Sequence, residues 1–241
     1  MTKVLHIAWV ALALGLALLL SAPATVFTKP PKDPSYPPVE QASFHQVVFA
    51  DQDLVVLNNR YPPSGDSGFH AHDRDQLYVT IEHSASMGQA PGGPLKAGPS
   101  ISAGAVGYGG TFGERRVHRV INGDQGPAQF IVIEFLRPKP GGTKVSSREK
   151  APQYVQIVDN PRLRAWRLIL EPGASAPAIT QVGKGVRVVV RGGLLTTSTP
   201  GAADQVHLLR PADFAVQPAG ATRALKNSGT EPLELVELEL K

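Results

Sequence analysis

Six runs of the chain carry hydrophobic residues in the pattern of buried or half-buried strands: DLVVL (53–57), QLYVTIE (76–82), QFIVIEFL (129–136), RAWRLIL (164–170), VRVVV (186–190) and LELVELEL (233–240). They are β-branched or alternate apolar with polar, which suits a pleated sheet whose successive side chains point to opposite faces. Pro-Pro, Pro-Gly or Gly-Gly pairs bound them, and no segment shows the 3.6-residue periodicity of an amphipathic helix. The chain is therefore expected to be all-β, with many short strands in a sandwich or barrel.

Two polar, proline-rich stretches divide it. TKPPKDPSYPPVE (28–40) is dense in proline, which fixes backbone angles and removes donors, so residues 25–42 are expected to be an extended tether. RPKPGGTKVSSREKAPQ (137–153) splits the remainder into similar halves, giving expected domains at 43–138 and 153–241 joined by a linker over 139–152. Ahead of the tether, residues 1–24 hold Lys3, an uncharged run from Ile7 to Leu20 and then Ala22-Pro23-Ala24, the layout of a secretory signal. The competing reading is an uncleaved membrane anchor, since the apolar run from Val4 to Leu20 approaches the roughly 17 residues that just span a bilayer. On either reading the folded part is expected outside the cytoplasm, periplasmic or secreted, with membrane contact only through that segment.

The halves read as copies of one another. HRVINGDQGPAQFIVIEF aligns without a gap to RALKNSGTEPLELVELEL at an offset of 105 (118 to 223), so that Asn122 meets Asn227, Pro127 meets Pro232 and Glu134 meets Glu239. Upstream, YPPSGDSGFHAH (61–72) lies against ILEPGASAPAIT (169–180) at an offset of 108 (72 to 180). Such repetition predicts tandem domains of one fold. Composition agrees: 241 residues at 42% hydrophobic can bury a sizeable core, and Gly 24 with Pro 22 supports many tight turns. The net charge of +4 is spread among acidic residues rather than gathered in a patch, so no nucleic-acid partner is expected. Without cysteine there are no disulfides and no thiolate ligands, and any metal must sit on His, carboxylate or amide groups.

In SGFHAHDRDQLYV, His70 and His72 are two residues apart at a strand start, so both imidazoles project to one face and can chelate one ion. A third imidazole from another strand, His118, would complete a facial set of three, and imidazole suits Zn, Fe, Ni and Cu. The alternative is a plain polar pair on a loop. Taken together, the residues resemble the cupin superfamily in its two-domain form, the bicupins. Gly65 followed by His70-Ala71-His72 resembles the first cupin motif, and His118 with Asn122 resembles the end of the second. Pro218-Ala219-Gly220-Ala221-Thr222-Arg223 with Asn227 fits that second motif again, with Arg in place of His. The resemblance implies two tandem jelly-roll β-barrels, a divalent metal ion (Fe, Mn, Zn or Ni), a small-molecule ligand and a homodimer paired through exposed strands. It implies activity less firmly, because cupins host many unrelated functions.

The chain departs from the family at the fourth ligand, where Gln76 or Leu77 stands in place of a carboxylate. Gln76 is either a weak ligand through its carbonyl oxygen or a core-lining residue, and Asp75 is expected to be a solvated loop charge. In the second half the matched positions are expected to be Ala178, Thr180 and Arg223, with Lys184 or Gly185 in the carboxylate place, so that half holds no metal. Arg223 either binds an anion by bidentate hydrogen bonds or pairs with a structural Glu. GAVGYGGTFG (104–113) is expected to be a loop, and His45, His83 and His207 have no partner at ligand spacing. Two functions remain open: a metal-dependent enzyme of the dioxygenase-like oxidoreductase or isomerase type acting on a small anionic organic substrate, or a non-catalytic periplasmic binding or assembly module without metal.

Overall fold

The computed structural model describes residues 35–83, 85–99, 101–111, 114–136 and 146–241. The expected signal segment (1–24), the first part of the tether and the linker as far as residue 145 lie outside the described residues. The first half supplies β1 (His45–Ala50), β2 (Leu54–Tyr61), β3 (His70–His72), β4 (Gln76–Glu82), β5 (Ser86–Gln89), β6 (Lys96–Ala97), β7 (Val106–Gly109), β8 (Arg116–Asn122) and β9 (Ala128–Phe135). The second half supplies β10 (Tyr154–Asp159), β11 (Leu163–Leu170), β12 (Ser175–Thr180), β13 (Gly185–Arg191), β14 (Gly193–Ser198), β15 (Gln205–Leu209), β16 (Phe214–Gln217), β17 (Thr222–Asn227) and β18 (Leu233–Leu240).

Each half builds its own pair of antiparallel sheets. The first has orders β1-β2-β9-β4-β7 and β3-β8-β5-β6, the second β10-β11-β18-β13-β16 and β12-β17-β14-β15. The plans match in detail. β1 bulges against β2 between Val47 and Phe49, and β10 bulges against β11 between Gln156 and Val158. The sequence folds twice into the same barrel because the same alternation of faces recurs.

Alternation also explains where the cores lie. On β2, β4 and β9 one face carries Leu54, Val56, Leu77, Val79, Ile131 and Ile133; on β11, β13 and β18 one face carries Leu163, Ala165, Val186, Val188, Val236 and Leu238; all belong to one buried cluster between the barrels. The opposite faces point into the barrel interiors. In the second barrel that interior is apolar around Trp166, Leu168, Leu170 and Leu235. In the first, Val39, Val55, Leu57 and Val132 form a smaller buried apolar cluster, with Tyr78, Phe130 and Leu136 packed against it, and the space beyond is lined by polar side chains.

Four expectations are corrected here. The end of the tether is part of the first barrel: Val39–Gln41 forms a 3-10 turn with Val39 buried, and Pro37 O accepts a hydrogen bond of 2.9 Å from Ala71 N. The end of the linker is likewise built into the second barrel, as a 3-10 turn over Ser147–Lys150 that buries Arg148. Part of the glycine-rich stretch is the edge strand β7, hydrogen-bonded to β4. Asp75 is no solvated charge: it accepts from Thr111 N (2.8 Å) and Tyr108 Oη (2.9 Å) and pairs with Arg162 Nε (3.0 Å) of the other half. Burial would raise its carboxyl, but these donors and the Arg162 charge hold it below the usual range.

Candidate metal centre

β3 is buried from end to end because β8 pairs with one edge and Pro37-Pro38 covers the other. Register places His70 opposite His118, so imidazoles from two adjacent strands share one face. His72, on the same face of β3, completes the group: one ligand nitrogen from each of His70, His72 and His118 lies within 4.8 Å of the others. His72 Nε2 and His118 Nε2 are 3.0 Å apart. Two metal–nitrogen bonds of about 2.1 Å at right angles would put their nitrogens about 3.0 Å apart.

The outer ring nitrogens set which inner ones face the centre. His70 Nδ1 lies 3.1 Å from Gly68 O, so it donates to that carbonyl, and Nε2 is left buried with no hydrogen-bond partner among the described residues. His72 Nδ1 faces Glu134 Oε1 at 3.4 Å, which likewise frees its Nε2 to point inward. This is the carboxylate–histidine arrangement that orients a metal-binding imidazole. Burial first, and neighbouring imidazoles second, lower the pKa of His72 to about 3 and that of His118 to about 2. At neutral pH the rings are therefore neutral, with lone pairs crowded towards one point, the form that takes a cation.

Gln76 also reaches the interior. It is 6% exposed, and among the described residues its buried Oε1 has no hydrogen-bond partner. An orphaned carbonyl oxygen beside three converging nitrogens fits a divalent ion better than it fits a dry core, since burying an unpaired acceptor costs about 1–3 kcal/mol.

Two participants, Glu134 and His45, were not legible as site residues. Glu134 pairs with Gln76 in register and sits behind His72, bound by Arg74 Nη1 at 3.0 Å. Burial and the Glu40 charge push its pKa up to about 7 against that hydrogen bond. The signal available was a Glu inside the apolar run QFIVIEFL, repeated as Glu239. His45 packs its ring 4.7 Å from that of His70 and meets Tyr61 Oη at 3.2 Å through Nε2, and nothing in its sequence surroundings marked it. Arg116 is two residues from His118 on the same strand and stands at the rim. Arg115 turns away, donating to Tyr36 O at 2.8 Å.

In the second barrel the matching positions are one residue further on than the sequence alignment gave. His70 faces His118, whereas Ile179 faces Arg223; the equivalents of His70 and His72 are thus Ile179 and Gln181, not Ala178 and Thr180. A slip of one residue in a strand exchanges its faces. Gln76 opposes Glu134 as Gly185 opposes Glu239, so Gly185 holds the fourth position. Lys184 instead leaves the barrel and binds Asp53 Oδ2 of the first half at 2.9 Å. At the centre Arg148 donates to Glu237 Oε2 (2.8 Å), Glu239 Oε2 (2.8 Å) and Gln181 Oε1 (2.8 Å).

No protein-family model matches the chain, and no curated protein matches it. Solved structures do. AerE from Microcystis aeruginosa superposes with a TM-score of 0.59 at 13% identity, over 80% of this chain and 90% of that one. Salicylate 1,2-dioxygenase from Pseudaminobacter salicylatoxidans gives 0.54 at 14% identity, over 78% and 70%. A cupin 2 conserved barrel domain protein from Leptotrichia buccalis gives 0.50 at 13%, over 82% and 88%. The fold is that of the cupin superfamily. The chain builds that barrel twice, and its first barrel carries the histidine cluster.

Proposed function

We propose that the protein binds one divalent metal ion in its first barrel and acts there on a small anionic organic molecule, as a metal-dependent oxidoreductase. The observation that carries this reading is the set of buried atoms lacking a partner among the described residues, His70 Nε2 and Gln76 Oε1, beside the facing Nε2 atoms of His72 and His118. His70, His72 and His118 would hold the ion, with Gln76 as a fourth, neutral ligand. Such an ion would supply Lewis acidity or redox chemistry at the open positions that three or four protein ligands leave. The chain's own residues do the rest. Glu134 fixes the His72 ring through Nδ1, and Arg74 holds Glu134 in place. Arg116 at the rim offers a guanidinium to an incoming anion, and a ligand set without charge leaves the full 2+ on the ion, which favours an anionic, chelating substrate. The dioxygenase among the structural neighbours agrees with this chemistry. The sequence of residues 1–24 supports export before folding is complete, with action in the periplasm or outside the cell.

Elemental analysis tests the reading. Wild-type protein should carry up to one metal per chain, His72→Ala should lose most of it, Arg223→Ala should keep it, and Gln76→Glu should raise occupancy by restoring an anionic ligand. Equal metal in all four proteins, or loss with Arg223→Ala, would place the site elsewhere.

A further inference from the structure

The second barrel also has a small polar recess open to solvent, lined among others by Arg148, Arg187, Arg223, Gln181, Gln217 and Glu237. Its charges do not balance. Glu237 is fully engaged: Oε2 accepts from Arg148 and Oε1 from Arg187 Nε at 2.6 Å. Glu239 is engaged as well, Oε2 by Arg148 and by Ser146 Oγ at 2.9 Å, Oε1 by the amides of Val182 and Gly183. Two carboxylates thus serve two of the three guanidiniums. Arg223, half-buried at the mouth, donates to the neutral Gln217 Oε1. A second donor is in surplus: Gln181, 4% exposed, gives its Oε1 to Arg148, and its buried Nε2 has no partner among the described residues. Gly185 keeps this amide in place, since a Cβ there would lie 2.3 Å from Gln181 Nε2.

A guanidinium without a carboxylate and an amide N–H without an acceptor therefore face one small recess, in which both oxygens of each carboxylate are already used. What such a site lacks is an acceptor-only group with one negative charge. We propose that the second barrel binds a small monocarboxylate, held by the Arg223 fork and by Gln181 Nε2. A planar carboxylate matches the guanidinium fork with two parallel hydrogen bonds, which a spherical halide does not. The site is independent of the metal reading, for it uses no residue of the first barrel.

Calorimetric titration of the full chain, stripped of metal by chelator and held at constant ionic strength, tests this with sodium formate and sodium acetate against sodium chloride. Wild type should bind formate or acetate saturably in the millimolar range and at least tenfold more tightly than chloride. Arg223→Gln should weaken that binding tenfold or more. Gln181→Glu keeps an oxygen for Arg148 and puts a negative oxygen where the free N–H was, so it should abolish binding while the protein still melts cooperatively. His72→Ala should bind the carboxylate as wild type does. No saturable binding, equal affinity for chloride, unchanged binding in both second-barrel variants, or loss in His72→Ala would each overturn the proposal.

Discussion

In the first barrel Asn122 Nδ2 ties the carbonyls of Pro62 and Gly126, each at 2.9 Å; in the second Asn227 Nδ2 ties those of Leu170 and Glu231, each at 2.8 Å. The brace is the same, and what it encloses is not. The first interior gathers acceptors: three neutral imidazoles and an amide oxygen, with their lone pairs turned inward. The second contains its own cation, since the Arg148 guanidinium touches Gln181 and Glu239, which stand where His72 and Glu134 stand in the first. Tyr154 and Trp166 flank that guanidinium, with ring centroids 5.5 and 5.2 Å from its carbon. One frame thus accommodates either a site that needs a cation from solution or one built around a cation of its own. The choice rests on a few inward positions, while the outward faces of both sheets stay apolar to hold the barrels together.

The largest expected effect comes from removing the internal cation. Arg148→Met keeps the length of the side chain but leaves Glu237 and Glu239 buried with fewer partners, and breaking a buried pair in this way costs about 3–5 kcal/mol. Denaturant unfolding should register that loss. Burial would raise the Glu237 carboxyl, but Arg187 and Arg148 hold it below its ordinary 4.5. A depressed carboxylate stabilises the fold above its unfolded pKa, so this contribution is present above about pH 4.5 and disappears as pH falls through the lowered folded value. A loss under about 1 kcal/mol would mean that the network is not what stabilises the second barrel.

Next in size is the residue behind His72. Glu134→Gln retains an oxygen for the His72 Nδ1–H but removes the charge, and changes of this kind typically cost 10- to 100-fold in metal affinity. Competition with a chromogenic chelator would measure it. Glu239→Gln, at the matching place in the second barrel, should leave metal affinity unchanged. If both changes weakened metal equally, the contrast between the interiors would fail.

How much of this was legible follows from burial. The six runs read from the sequence correspond to β2, β4, β9, β11, β13 and β18, the three central strands of each five-stranded sheet. Those strands are covered on both faces, one by the barrel interior and one by the partner barrel, so nearly every position is apolar. LELVELEL shows the exception: its glutamates are buried, and their pairing with Arg148, Arg187 and Arg167, joined at Glu239 by Ser146 Oγ and two backbone amides, explains how. Strands such as β15 and β17, exposed on one face or at an edge, carry a weaker pattern and went unread. The histidine cluster was legible because His-x-His in a strand is a local signal. Glu134 and His45 were not, since register and a barrel closure 62 residues long bring Glu134 to His72. The slip at Ala178 and Thr180 has the same origin: an alignment fitted through loops lacks the pairing with β17 that fixes which residue faces inward.

The smallest expected effect tests that last correction. Lys184, read from sequence as a candidate for the carboxylate place, instead crosses between barrels to Asp51 and Asp53 and is about a quarter exposed. Burial lowers its ammonium pKa and the two carboxylates raise it, with a net rise. Solvent screens so open a cluster, and exposed ion pairs contribute about 0.2–1 kcal/mol, so Lys184→Ala should destabilise by under about 1 kcal/mol. The difference should shrink further at high salt, where the screening length falls to about 3 Å at 1 M. Lys184→Glu goes further, placing a third carboxylate against Asp51 and Asp53, and should cost somewhat more at low salt while leaving metal content at the wild-type level. If it instead created a second metal equivalent per chain, the side chain at 184 would point into the second barrel, and the register that puts Gly185 there would be wrong.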